Sequence, residues 1–197
     1  MAISPRSRLD WYLENMLVIV AIPLLILNHR RCSLSRISYV ALLIFSVLHT
    51  IGAHYTYSHV PLGREIGERL GFARNHFDRV VHFGFGLLAS VPLLEIQSRV
   101  AKFKRWWGYL LPIAVIGAIS AHYEILEWLV AVVVSPTAAN EYLGTQGDQW
   151  DAQKDTLCAL AGSVLAMVYA VIADRASGRR IHQDRCQVKR GGTPCPS

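Results

Sequence analysis

The segment "DRVVHF" places Asp78 and His82 four residues apart, "AHYEILEW" places Glu124 and Glu127 three apart, and "DAQKD" places Asp151 and Asp155 four apart. On a helix each of these pairs shares one face. Imidazole together with several carboxylates is the donor set of a divalent metal or of a general acid–base pair. His54, from "HTIGAHYTYSHVP", joins His82, Glu124 and Glu127 as a candidate metal set. Asp78, His82, Glu124, Glu127, Asp151 and Asp155 are the candidates for catalysis. Arg79 is the cation placed to face an anionic group, and Asn75, Tyr55, His59, Gln146, Trp150 and Gln153 are the polar and aromatic candidates for holding a headgroup.

Each pair also has a plainer explanation. Asp78 and His82 suit a helix N-cap with a satisfied imidazole. Glu124 and Glu127 suit a buried ion pair with Arg79, or a protonated pair tying helices together. Asp151 and Asp155 in a first helical turn complement the helix dipole. His29, His122 and His182 carry no functional assignment.

The elements that position these residues are built for lipid. Of 197 residues 52% are hydrophobic and only 17% charged, and the apolar ones fall in long blocks near 13–28, 37–57, 79–97, 108–134 and 156–173. A hydrocarbon core of about 30 Å needs roughly 20 mostly apolar residues per helix. The expected fold is therefore all-α: a polytopic transmembrane bundle of about five spanning helices over 1–174, with a basic, disordered cytoplasmic tail over 175–197. The first block is short and holds Pro23, which a membrane helix tolerates where neighbours satisfy the freed carbonyl; no small-residue cleavage pattern follows "LNHRRC", so it reads as a helix and not a signal peptide.

Lysine and arginine excess marks the cytoplasmic side. One set of connections and the tail hold thirteen of these residues and the other set seven, so the N-terminus is expected outside and the C-terminus inside. The net charge of +6 then reflects topology and anionic lipid, and no basic face interleaved with aromatics points to nucleic acid. Trp106, Trp107 and Tyr109 fit the inner interface belt, Trp11, Tyr12 and Trp150 the outer one. Cysteines 32, 158, 186 and 195 show no metal spacing.

On this topology the acids converge on one side. The connection 58–78 is long and punctuated by Pro and Gly, in the manner of a folded lid or re-entrant turn. At 1.5 Å per residue, Glu127 and Glu124 lie about 10 and 15 Å below the outer end of their helix, and His82 about 5 Å inside its own. An intramembrane charge costs roughly 2.5–3.5 kcal/mol on insertion scales, so such residues must face the bundle interior and meet a cation, a proton or a metal.

"GAHYTYSHVPLG", "RNHFDRVVHFGFG", "SAHYEILEW" and "LGTQGDQWDAQKD" together resemble the YjdF-like bacterial inner-membrane proteins, over about residues 11–174. The resemblance implies a multi-pass bacterial inner-membrane protein and supplies no reaction. It also implies a further N-terminal helix in most members, starting in the cytoplasm, in agreement with an outward N-terminus here. A second, looser likeness is to VanZ-like membrane proteins, in the order "DRVVH", "YEILEW", "DAQKDTLCALAG", and implies an envelope role at the outer face.

Three functions remain open: a metal- or acid–base-assisted enzyme acting on a lipid or envelope intermediate, a non-catalytic proton-coupled or headgroup-binding component, and a structural ion-pair network. The implied partners are the bilayer and such an intermediate; the cofactor, if any, is a divalent metal. No HExxH, phosphate loop or dinucleotide fingerprint is present, and no inverted repeat favours transport.

Overall fold

The computed structural model describes residues 3–29, 33–100, 106–133 and 142–176. Cys32, Glu141, His182, Cys186, Cys195 and nearly all of the basic tail lie outside them. The described elements are α1 (Arg8–His29), α2 (Arg36–Tyr55), α3 (Pro61–Leu70), α4 (Phe77–Val100), α5 (Trp107–Val133) and α6 (Asp151–Ala176). All but α3 are long and apolar enough to cross a membrane. The protein is an all-helical, integral membrane bundle.

The chain alternates direction through the five spans. The N-terminal ends of α1, α4 and α6 and the C-terminal ends of α2 and α5 meet at one end of the bundle, tied by the Arg6 N–H to the His54 carbonyl (3.1 Å) and by Arg74 to Asp151 (2.6 Å). α4 packs against α2, α5 and α6, whereas α1 leans chiefly on α2. Without water to expel, membrane helices associate through close packing of small residues, and α4 and α6 show it. A Cβ on Gly86 would lie 1.8 Å from the Ala159 carbonyl oxygen, and one on Gly162 would lie 2.2 Å from that of Phe83. One turn further on, the Ser90 and Ser163 hydroxyls bond at 2.7 Å. This parallel crossing sets Asp78, Arg79 and His82 beside Asp151 and Asp155.

At the opposite end of α4, Glu95 accepts from the Ser35 N–H (2.8 Å) and the Ser38 hydroxyl (2.5 Å). It pairs there with Arg99. Glu95 thus caps the N-terminus of α2, where a negative group is favoured.

The long connection expected as a folded lid or re-entrant turn folds into a turn, a short helix and a return. Thr56 and Tyr57 both take left-handed backbone (φ 52° and 47°), a conformation costly for residues with a Cβ. It tucks the Tyr57 ring against α2, where Gly52 leaves room: a Cβ there would be 2.3 Å from Tyr57 Cε1. α3 starts on Pro61, suited to a first helical position. It ends at Gly71 (φ 73°), with Phe72 N–H to the Gly67 carbonyl at 2.8 Å and Gly71 N–H to Glu68 at 3.3 Å, the paired bonds of a glycine-terminated helix. Its exposed stripe of Leu62, Ile66 and Leu70, opposite charged residues, suits a helix lying in the membrane interface.

Candidate functional site

The site forms where the first turns of α4 and α6 meet the last third of α5. Asp78, Asp151 and Asp155 each turn a carboxylate oxygen to a common point, all within 4.8 Å of one another. Two helix N-termini help to hold this charge. His82, one turn below Asp78, sets Nε2 3.6 Å from Asp78 and 3.3 Å from Glu124; its Nδ1 lies 3.3 Å from the Ser120 hydroxyl. The Glu124 and Glu127 carboxyls are within hydrogen-bonding reach of each other.

Two arginines close the top. Arg74 forks onto both oxygens of Asp151 (2.6 and 3.1 Å) and donates to the Thr145 carbonyl (3.2 Å). Arg79 reaches Asp148 (2.7 Å), Asp151 (3.2 Å) and Asp155 (3.8 Å), and donates to His76 Nδ1 at 3.2 Å. Arg79 therefore pairs with the aspartates of α6 and its lead-in, and not with Glu124 and Glu127 as its ion-pair alternative had it. The Lys154 ammonium at 2.7 Å, the Trp150 N–H and Arg79 hold the Asp148 carboxyl well below its ordinary range. Burial and the neighbouring Arg79 and Arg74 push the His76 imidazole down.

The loop 142–150 is pinned by an amide exchange. The Asn75 N–H donates to Gln146 Oε1 (2.9 Å) and Gln146 Nε2 donates back to the Asn75 carbonyl (3.0 Å). Gln146 takes φ 49° to do so. The Asn75 side chain also binds the Val60 carbonyl (2.9 Å) and the Phe77 N–H (3.0 Å), linking both loops to the start of α4.

Among the described residues six buried side-chain polar atoms lack a hydrogen-bond partner, and four of them surround this site: Arg74 Nε, Arg79 Nε, Glu124 Oε1 and Asp155 Oδ1. Buried polar groups are almost always satisfied. Arg79 Nε and Asp155 Oδ1 face each other at 3.8 Å, an ion pair too long for a hydrogen bond, and Glu124 Oε1 faces His82 Nε2 at 3.3 Å. Asp155, 2% exposed, is thus held by charge and not by a hydrogen bond at this oxygen.

Several expected residues stand elsewhere. The His54 ring packs edge-on to Tyr55, centroids 4.6 Å apart, and the metal-competent oxygens are those of Asp78, Asp151 and Asp155. His59 Nδ1 lies 2.9 Å from the Ser58 hydroxyl, within its own turn. Trp150 and Gln153 are exposed. The α2 histidine that reaches the interior is His49, whose Nε2 donates to the Glu14 carbonyl (2.9 Å) and whose Nδ1 accepts from the Tyr57 hydroxyl (2.7 Å). Burial pushes that phenol well above its usual range and keeps it a donor. Glu14 is itself 2% exposed and accepts from the Tyr123 hydroxyl. Neither Glu14 nor Arg74 was expected at the site. Asp10 and Glu14 have the same i, i+4 spacing as Asp78 and His82, and that was the available signal.

A model of the family described as "Predicted membrane protein (DUF2238)" matches residues 1–176. The chain belongs to this family. It is similar to the inner membrane protein YjdF of Escherichia coli (strain K12), with 36% identity over 169 residues, covering 85% of this chain and 80% of that protein. No solved structure matches. Family membership and five helices long and apolar enough to cross a membrane make this a multi-pass membrane protein, similar to an inner-membrane one, and the family description names no reaction.

Proposed function

We propose that the protein is a divalent-cation-dependent membrane enzyme acting on the phosphate-bearing headgroup of a lipid or envelope intermediate, with its site open to the outer leaflet. The supporting observation is the cluster of Asp78, Asp151 and Asp155, whose carboxylate oxygens lie within 4.8 Å of one another, closed on one side by the Arg74 and Arg79 guanidiniums. A metal ion held by the carboxylates and a phosphate oriented by the arginines would use both halves of the site. Around an ion with oxygen ligands at about 2.1–2.4 Å, opposite ligand oxygens stand up to about 4.8 Å apart, and the Asp78, Asp151 and Asp155 oxygens lie within 4.8 Å of one another. Three carboxylates are a hard oxygen set, suited to Mg²⁺, Mn²⁺ or Ca²⁺ more than to a thiophilic metal.

In this reading the aspartates hold the cation and Arg79 and Arg74 orient the anionic group. His82, between Asp78 and Glu124, carries the proton that a hydrolysis or transfer step must move. The outward placement rests on the lysine and arginine asymmetry of the connections.

The test is elemental analysis of the detergent-purified protein beside monodisperse His82→Ala, Glu124→Gln and Asp155→Asn variants. Stoichiometric metal in the parent, lost in Asp155→Asn and reduced in the others, is the expected result. No metal in any of them sinks the proposal.

The row of carboxyls from half-buried Glu124 and Glu127 to buried Glu14 supports a second reading, proton-coupled binding or transport of a headgroup. Here ligand affinity depends on pH and not on metal.

A further inference from the structure

We infer that the cleft between α1 and α5 holds the hydrocarbon chain of the lipid whose headgroup enters the polar site, and that this lipid arrives sideways from the bilayer between those two helices. The inference rests on the reading above that the ligand is a lipid.

The cleft measures ≈ 700 Å³ and is lined by Leu13, Met16, Val20 and Leu24 from α1 and Leu126 and Val130 from α5. Small-molecule sites span about 300–1,000 Å³, so it is large enough for a chain. It lies where α1 leans chiefly on α2 and meets α5 through the Glu14–Tyr123 hydrogen bond.

The cleft does not end blindly. Tyr123 and Glu127 wall it, and the same two residues wall a smaller cavity of ≈ 50 Å³ in which Asp78, His49 and His82 stand among apolar side chains such as Phe45, Val81 and Phe85. An apolar trough thus adjoins, across two shared residues, the cavity that reaches Asp78 and His82, an order that fits an amphiphile. Its length agrees. Leu13 to Leu24 spans about 16 Å of helix at 1.5 Å per residue, close to half of a hydrocarbon core of about 30 Å. A chain lying in it would occupy one leaflet with its phosphate at the level of the aspartates. Trough and cavity together match a single-leaflet phospholipid better than they match a second protein helix, which would leave the cavity beside Asp78 and His82 unused.

The test is native mass spectrometry of the full-length protein in Mg²⁺, with dioleoyl phosphatidic acid as the probe and dioleoylglycerol as the control without phosphate. The parent should carry one phosphatidic acid in preference to the glycerol lipid. Filling the trough with Val20→Trp or Val130→Trp should lower that adduct at least tenfold while bound metal stays at the parent level. Asp155→Asn should lose the metal and the preference between the two lipids, yet keep a chain-bound adduct of either. Undiminished phosphatidic acid in both tryptophan variants overturns the inference. So does a parent dimer that both variants convert to monomer, since the trough would then hold a second copy of this chain. If no metal is found in any sample but the tryptophan variants still shed lipid, the cation-dependent reading fails and the trough stands.

Discussion

Arg74 holds Asp151 through both carboxylate oxygens, at 2.6 and 3.1 Å, with side chains only 11% and 6% exposed. The bond joins the lead-in of α4 to the first turn of α6 and orients one of the three site carboxylates. Removing the only partner of a buried charge costs roughly 3–5 kcal/mol; here Arg79 still reaches Asp151 at 3.2 Å, so the loss of Arg74 costs less than that. Arg74→Ala should therefore lower the thermal midpoint of the detergent-solubilised protein by several degrees. Arg74→Lys keeps the charge without the planar fork and should fall between. An unchanged midpoint in Arg74→Ala would mean that the clamp does not form.

The α4–α6 crossing makes a sharper stability prediction. The atoms a Cβ would strike at Gly86 and Gly162 are backbone carbonyls, which cannot swing aside as a side chain can. Overpacking costs about 1–3 kcal/mol where neighbours relax. Gly86→Ala and Gly162→Ala should each reach or exceed the upper end of that range, whereas Gly71→Ala, with open space but φ 73°, should cost only its backbone strain. Thermal unfolding of the three variants ranks them.

Much of this architecture was legible because it is written in long-range composition. Five apolar blocks, and acids recurring at helical spacing within them, require a bundle whose charges face inward. What escaped was pairing across sequence distance. Arg74 looks like one loop charge among several until folding brings it 77 residues along the chain to Asp151. Glu14 sits at the edge of its apolar block and reads as a flank, yet the Tyr123 hydroxyl meets it from α5. His54 and His49 both belong to α2, and only the helix's rotation against α4, with Gly52 admitting the Tyr57 ring, makes His49 the interior one. The site's acids could be named from spacing; the cations and tyrosines that complete its walls needed the packing.

A pH dependence follows from His76. Its ring accepts from Arg79 at 3.2 Å, packs edge-on to Phe72, and faces the Arg74 and Arg79 cations, with the Asp148 and Asp151 charges opposing them. Burial and the two arginines lower its pKa in the fold from the ordinary value near 6.5. Below that value the unfolded chain binds the proton more readily than the folded one, so stability falls with pH until the folded imidazole is itself charged. The thermal midpoint should drop between pH 7.5 and pH 5.5 by more in the parent than in His76→Gln, which keeps an acceptor for Arg79 and does not titrate. Equal drops in the two proteins would assign the acid sensitivity to other groups.

Asn75 offers a test in which the conservative change is the worse one. Its Nδ2 donates to the Ser58 and Val60 carbonyls, at 3.2 and 2.9 Å, and its Oδ1 accepts from the Phe77 N–H, all in a residue 6% exposed. Asn75→Ala leaves these backbone groups unmatched, at roughly 1–3 kcal/mol for each that water does not reach. Asn75→Asp has nearly the same shape but turns a carboxylate oxygen toward two carbonyl oxygens, adding repulsion to the lost bonds. The aspartate variant should therefore unfold at the lower temperature. Both should also loosen the Gln146 exchange and with it the hold on Asp148 and Asp151, read as faster hydrogen exchange across 142–150 than in the parent. An aspartate variant more stable than the alanine one would show that water already enters this corner, and that the two loops are held by the arginine clamp alone.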